Sequence, residues 1–386
     1  MNADRDPNGE PQKAKPASKP DKKIQTPLRR RLRRAAIGLG VGLLGIASLA
    51  VGLGCCAFSA PGYSGPRSDH FDGEVFHNQE TREHEGFLSV VKWQLSREPG
   101  PWREWTDAPP GPRPPERVGR GELRVTFVNH ATTLIQMDGL NILTDPVWSD
   151  VVGPALDLGP RRVRPPGIRF EDLPPIDAVL VSHNHYDHMD LPTLRRLAAE
   201  HKPRFFAGLG SRVLLHGEGV DGATDLDWWQ VSDLAPEVRV TGVPATHFSN
   251  RGLCDRDNTL WMGFVVAGPA GVVYFAGDTG FGKHFQQIRE RFGKIRLAVL
   301  PIGAYLPRWF MSTVHIDPAE AVEAHRTLGA ATSLGMHFGT FRLADEGQDD
   351  PPVALAKALE KSGGGRFWVL GFGEGRDVPP IGEIAP

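Results

Sequence analysis

An apolar, β-branched run, Ile176-Asp177-Ala178-Val179-Leu180-Val181, breaks off at Ser182-His183-Asn184-His185-Tyr186-Asp187-His188. The run reads as a buried strand, so three imidazoles and a carboxylate gather where a strand gives way to a loop. In an extended segment, side chains two apart point the same way, which places His183 and His185 to grip one ion. Asp187 and His188, just past the turn, face a second ion beside the first. Imidazole and carboxylate donors suit zinc, with manganese and iron as alternatives.

Such a cluster is half a site, and the remaining donors are sought downstream. His247 follows the strand-like Val238-Arg239-Val240-Thr241-Gly242-Val243. Asp278, in Phe275-Ala276-Gly277-Asp278-Thr279-Gly280, comes directly after Gly271-Val272-Val273-Tyr274. His337 follows Ser333-Leu334-Gly335-Met336. Each stands where a strand is expected to end, so distant segments can converge along one sheet edge. Any one of these histidines, taken singly, is better explained as a satisfied buried side chain.

The motif His-x-His-x-Asp-His followed by isolated His, Asp and His resembles the metallo-β-lactamase superfamily. Within it, the chain is similar to the N-acylphosphatidylethanolamine-hydrolysing phospholipase D family. The likeness is carried by Asn141 to Val147, Leu173 to Val181, the histidine motif, Asp227-Trp228-Trp229 and Phe275 to Gly280. It continues through Pro301 to Tyr305, Pro307 to Met311 and His337-Phe338-Gly339-Thr340-Phe341, and covers roughly residues 70 to 375. The resemblance implies an α/β fold, a four-layer αββα sandwich with metals at one rim. It also implies the ligand set: His183, His185 and His247 on one Zn2+, Asp187, His188 and His337 on another, and Asp278 bridging both. A water between two such cations loses a proton near neutral pH and becomes the nucleophile.

Further roles follow from the same resemblance. His315, in Thr313-Val314-His315-Ile316-Asp317-Pro318, matches a family histidine beside the site. It would polarise a phosphoryl oxygen or protonate the departing group; a helix-start histidine without a chemical task is the alternative. Asp145 would orient a ligand imidazole from outside the metal sphere, or serve as an ordinary turn carboxylate before Pro146. Tyr186, Tyr305, Trp309 and Phe310 are assigned to the substrate entrance, against core packing, which is the commoner fate of aromatics. One departure from the family is Asn129, where relatives carry glycine; Asn tolerates the left-handed backbone. His130 beside it is read as structural.

The rest of the chain sets the context. It has 386 residues, a net charge of −2 and 45 glycines with 34 prolines. The charge argues against a nucleic-acid partner, and the glycines and prolines fit a strand-rich fold with many turns. Residues 1 to about 26 are polar and expected to be disordered. Arg29-Arg30-Arg31-Leu32-Arg33-Arg34 precedes an uncharged run from Ala35 to Ala60, long enough to cross a bilayer as a helix. The division expected is a basic tail over 1–34, a membrane segment over 35–60, an extended lead-in over 61–120 and the hydrolase domain over 121–386.

The basic block places the N-terminus in the cytoplasm and the domain on the extracytoplasmic side. An uncleaved anchor is the reading adopted. The alternatives are a signal peptide cut near Ala57-Phe58-Ser59-Ala60, a lipoprotein signal at Cys55, a twin-arginine signal, or a buried glycine-rich helix.

Cys55 and Cys56 end the apolar run and leave Cys254 as a lone thiol in the domain. It is therefore expected to be a packed small side chain with no disulfide. His70, His77 and His84 in the lead-in show no usable partner spacing and are assigned to the surface or to the ligands' surroundings. Strands are expected over Leu123–Val128, Thr133–Met137 and Leu140–Thr144, and helices over Ser89–Leu95, Leu191–Ala198, Pro318–Leu328 and Val353–Lys361.

The function expected is zinc-dependent phosphodiester hydrolysis of phospholipase D type on a lipid or amphiphile, at a membrane, by a monomer or homodimer. A lactonase or other carbonyl-directed hydrolase would use the same metals. A nuclease of this superfamily would need an inserted RNA-gripping domain, for which the interval from Asp278 to His337 is too short. A flavodiiron protein would carry a glutamate in the histidine motif.

Overall fold

A computed structural model describes residues 27–56, 58–80, 86–154 and 157–382. Residues 1–26, Ala57 of the candidate cleavage site and His84 lie outside the described residues. The chain divides into two units, Met1–Gly52 and Leu53–Pro386.

In the first unit the described residues belong to helix α1 (Pro27–Cys56), which begins on the arginine block. Its apolar side chains from Leu32 to Val51, among them Ile37, Leu43, Leu44, Ile46 and Leu49, are exposed. The stretch Arg29–Cys55 is long and apolar enough to span a membrane.

The second unit starts with the last turn of α1, followed by a strap, residues 58–80, and helix α2 (Phe87–Leu95). Fourteen strands then fall into two seven-stranded sheets among the described residues. The first comprises β1 (Leu123–Asn129), β2 (Thr132–Met137), β3 (Leu140–Thr144), β4 (Ala178–Leu180), β5 (Arg204–Gly208) and β6 (Thr224–Leu226). The second comprises β7 (Val231–Ala235), β8 (Val238–Val243), β9 (Gly263–Gly268), β10 (Gly271–Phe275), β11 (Leu297–Pro301), β12 (Thr332–Met336) and β13 (Phe367–Trp368). The last strand, β14 (Gly375–Asp377), returns to the first sheet beside β1. Each sheet is antiparallel at one side and parallel at the other: β3 to β6 in the first, β10 to β13 in the second.

Alternation along the strands builds the layers. Val125, Phe127, Ile142, Leu180 and Phe206 point between the sheets, where they meet Val240, Phe264, Val266 and Val273. Their neighbours Leu134, Leu143, Val179, Val181 and Phe205 point the other way. They pack under α3 (Leu191–Glu200) and α4 (Ser211–Gly217), the former burying Leu191, Leu194 and Leu197 on one face. On the outer side of the second sheet lie α5 (His284–Phe292), α7 (Pro318–Leu328) and α8 (Asp350–Lys361), while the short α6 (Arg308–Met311) packs beside Trp93 of α2. The result is the αββα sandwich the resemblance implied.

Two expectations are corrected. Cys254 is not a lone thiol: it is bonded to Cys55, closing a sequence separation of 199. Assigning Cys55 wholly to the apolar run concealed this, because the last turn of α1 and the residues after it meet the loop carrying Cys254. Leu253 N–H donates to the Gly54 carbonyl at 3.1 Å, and Ala60 N–H to Asp255 Oδ2 at 2.8 Å. His70 is buried rather than superficial, between Asp69 at 2.6 Å and Asp227 at 2.7 Å. His77 is exposed, as expected, and pairs with Asp72.

Candidate metal centre

β3, β4, β8, β10 and β12 deliver their C-terminal ends to one rim, where the two sheets meet. Asp145 follows β3, the histidine motif follows β4, His247 follows β8, Asp278 follows β10 and His337 follows β12. The approach is close: Gly277, with φ of +60°, lies where a Cβ would stand 2.5 Å from the Ser182 side chain. Only glycine allows Asp278 to reach across the seam. His130, Asp145 and His337 all have positive φ, at 46°, 33° and 64°, sparsely populated backbone of the kind functional sites retain.

His183, His185 and His247 form one trio. His183 Nε2 and His185 Nδ1 are 2.7 Å apart, and His247 Nε2 is 3.3 Å from the same Nδ1. Neighbouring groups set the tautomers. The Ser182 hydroxyl donates to Asp145 at 2.6 Å and so accepts from His183 Nδ1–H at 2.9 Å. His247 Nδ1–H donates to the Val314 carbonyl at 3.0 Å. Both Nε2 lone pairs are thereby aimed inward. Burial holds all three imidazoles neutral, with His185 down to about 3, the form that a metal requires.

Asp187, His188 and His337 form the second trio. His188 Nε2 lies 3.3 Å from Asp187 Oδ2 and 3.2 Å from His337 Nε2. Its Nδ1–H donates to the fully buried Asp145 at 2.6 Å. Asp278 Oδ2 stands between the trios, 3.1 Å from the Nε2 atoms of both His188 and His337 and 3.9 Å from His247 Nε2. Its other oxygen is buried without a hydrogen-bond partner.

The electrostatics agree with this geometry. Burial opposes a charge on His337, but Asp278 and Asp187 outweigh it and raise the group to about 9. His188 is driven up by Asp278, Asp187 and Asp145 against the same penalty. Burial would raise the two carboxylates, yet the imidazoles hold both well below their usual range. Positive charge is what this pocket demands, and a bound metal cation would displace the imidazole protons. The residues therefore fit metal ligation, with both trios supplying buried donors and Asp278 lying between them.

A cavity of about 390 Å³ opens over both trios, lined by His185, Asp187, Asp278, His315 and His337. Val90 and Trp93 of α2 and Phe248, Phe310, Met311 and Leu343 make an apolar wall, with Asn250 and Arg256 among its polar groups. His315 is held beside Asp278, its Nδ1 3.9 Å from Oδ2. Its carbonyl accepts from Arg308, and the next N–H, that of Ile316, donates to Thr279. Directly after it, the Asp317–Glu320 capping box starts α7 and fixes the turn.

Of the four aromatics assigned to the entrance, Phe310 lines the cavity. Trp309, 41% exposed, lies beside Phe310 with the Lys92 ammonium 4.4 Å from its ring. Tyr186 turns away, under the Arg251 guanidinium in a separate cleft. Tyr305 is buried and borders a third hollow, with Arg308 and Lys361. In an irregular loop, adjacent side chains diverge without a fixed period, so neighbours of a ligand in sequence need not share its cavity.

A family model described as the beta-lactamase superfamily domain matches residues 140–338, which run from β3 to just past His337. The chain belongs to the metallo-β-lactamase superfamily. It is 40% identical over 229 residues to the N-acyl-phosphatidylethanolamine-hydrolyzing phospholipase D 1 of Caenorhabditis elegans, covering 57% of this chain and 64% of that one. It thus spans just under two thirds of the nematode protein. An uncharacterized protein of Mycobacterium tuberculosis is 39% identical over 281 residues, 71% of this chain and 74% of its own. Among solved structures, Igni18, a metallo hydrolase of Ignicoccus hospitalis, shares the fold with a TM-score of 0.51 at 23% identity, over 67% of this chain and 99% of that one. The superfamily level of the resemblance read from the motifs is met, and the nematode relative carries the name of the narrower family.

Two parts of this metallo-β-lactamase centre had no sequence signal. His130 Nε2–H donates to Asp187 Oδ2 at 2.8 Å, and its ring lies 4.1 Å from that of His337. Burial lowers it to about 3, so it holds the carboxylate as a neutral donor. It sits in the two-residue turn between β1 and β2, where nothing in the string announces a partner 57 residues on. The cavity wall contributed by α2 was equally hidden, because Trp93 reaches it only after Asp345 accepts its indole N–H at 2.8 Å.

Proposed function

We propose that this chain is a membrane-tethered, dinuclear metal hydrolase, a phosphodiesterase of phospholipase D type acting on N-acylphosphatidylethanolamine-like lipids. The observation that carries the reading is Asp278 Oδ2, equidistant at 3.1 Å from His188 and His337 and 3.9 Å from His247. Zn2+ is the favoured ion, with Mn2+ or iron compatible with the same donors. Two such ions would supply an acidified water and neutralise charge on a phosphodiester's oxygens.

The chain's own groups do the rest. His183, His185 and His247 bind one ion and Asp187, His188 and His337 the other, while Asp145 and His130 fix ligand orientation. Burial holds the His315 imidazole neutral, down to about 4, and nearby dications push it further in that direction. It therefore serves as a neutral hydrogen-bond donor to a phosphoryl oxygen rather than as an acid for the leaving group. Its Nδ1 has no other hydrogen-bond partner. The apolar wall from Val90 to Leu343 accommodates hydrocarbon, and the nematode relative's named substrate is a lipid.

Tethering and side rest on α1 and the disulfide. The arginine block before the span favours a cytoplasmic N-terminus. The Cys55–Cys254 bond favours an oxidising compartment for the domain. A lipid bilayer is the partner this arrangement implies.

The test pairs metal analysis with a turnover screen on N-acylphosphatidylethanolamine, bis-p-nitrophenyl phosphate, a lactone and a cephalosporin. The expected result is two metals per chain and hydrolysis of the phosphodiesters. Activity confined to the lactone or cephalosporin would replace this reading with a carbonyl-directed hydrolase. Asp187→Ala should abolish turnover and release one ion, and full activity in that variant would contradict the ligand assignment.

A further inference from the structure

We infer that Asn78, on the strap ahead of the domain, is a positioning residue for His247 and so part of the metal centre. This rests on the reading that His183, His185 and His247 share an ion. His247 lies beyond the end of β8, where no neighbouring strand is left to satisfy its peptide, yet the residue is only 1% exposed. The Asn78 carboxamide takes the place of that strand. Its Nδ2–H donates to the His247 carbonyl at 2.8 Å, and its Oδ1 accepts the His247 N–H at 3.0 Å. A carboxamide on a short stem does both at once, as a peptide group would in a sheet.

The amide's orientation is itself set. Oδ1 also accepts the indole N–H of the buried Trp261 at 2.9 Å, so the oxygen faces two donors and the NH2 faces the carbonyl. The strap beneath Asn78 is anchored in the core by Phe71 and Phe76, and Phe76 N–H donates to the Asp257 carbonyl at 2.8 Å. His247 is then gripped at both ends, its peptide by Asn78 and its ring by the Val314 carbonyl at 3.0 Å. Without Asn78, a buried N–H and C=O would lack partners. The peptide would turn to recover them, swinging Nε2 out of the trio.

The test uses the full-length chain in detergent, stripped by chelator and titrated with Zn2+, and with Co2+ followed by visible absorption. In Asn78→Ala the ion held by His183, His185 and His247 should bind about 10- to 100-fold more weakly. The other ion should bind as in the wild type, and kcat should fall with KM little changed. Asn78→Asp keeps the acceptor and loses the donor, so it gives the reading should the alanine variant not fold.

Wild-type affinity and cobalt spectrum in a folded Asn78 variant would overturn the inference. So would equal weakening of both ions, or failure of both Asn78 variants to fold, which would assign Asn78 to packing alone. A wild-type protein that takes up no metal would instead sink the metal-centre reading, a distinct result.

Discussion

Asp145 and His188 face each other across 2.6 Å, and neither side chain has any exposed surface. The carboxylate also accepts the Ser182 N–H at 2.7 Å and the Ser182 hydroxyl at 2.6 Å, so one group orients ligands of both trios. Asp145→Asn cannot accept all of these bonds with both of its terminal atoms. Metal affinity should fall about 10- to 100-fold, read by competition with a chromogenic chelator. Unchanged affinity would reduce Asp145 to a turn residue.

On the proposed reading, His315 contributes to the chemistry and not to holding metal. His315→Ala should keep the wild-type metal content while kcat on a phosphodiester drops by about 10²- to 10⁴-fold. Loss of metal would make it a ligand, and undiminished kcat would leave it a wall residue.

The His70 clasp predicts a pH dependence of stability. Burial opposes charge on His70, but Asp227 and Asp69 outweigh it and raise its pKa above the ordinary value. A raised folded value means the stabilisation is complete below about pH 6.5 and is lost as pH climbs through the folded value. The groups facing the ring are Asp69, Asp227, the Ser68 hydroxyl and the Trp228 ring. The Tm of the metal-free protein should therefore decline on the alkaline side, and His70→Gln should flatten that decline. At pH 6 the variant should lose about 1.5–3 kcal/mol. An identical pH profile in the two proteins would remove the clasp.

The Cys55–Cys254 bond should be recovered as a linked peptide pair from exported protein digested without reductant. Cys254→Ser should cost about 2–4 kcal/mol of stability, measured by denaturant unfolding. It should also make the protein insensitive to reductant. Equal stability with and without the bond would refute a stabilising role.

Much of the site was legible because metal ligation leaves a local trace. His183, His185, Asp187 and His188 lie within six residues, and His247, Asp278 and His337 each follow a β-branched or apolar run that does form a strand. The runs Leu123–Val128 and Leu140–Thr144 likewise announced strands, which form at Leu123–Asn129 and Leu140–Thr144. β4, at Ala178–Leu180, proved shorter than the apolar run Ile176–Val181 that announced it.

What the linear string determined by itself was donor chemistry, the period of each element and the apolar span of α1. Those depend on residue type and near spacing. What only the tertiary structure decided was which groups meet across long separations: Cys55 with Cys254, His130 with Asp187, Asn78 with His247, and Phe310 but not Tyr186 or Tyr305 at the cavity. Hydrogen bonds, disulfides and cavity walls are set by directions in space. Those directions exist only once two twisted sheets have closed on a common core and brought their strand ends to one rim.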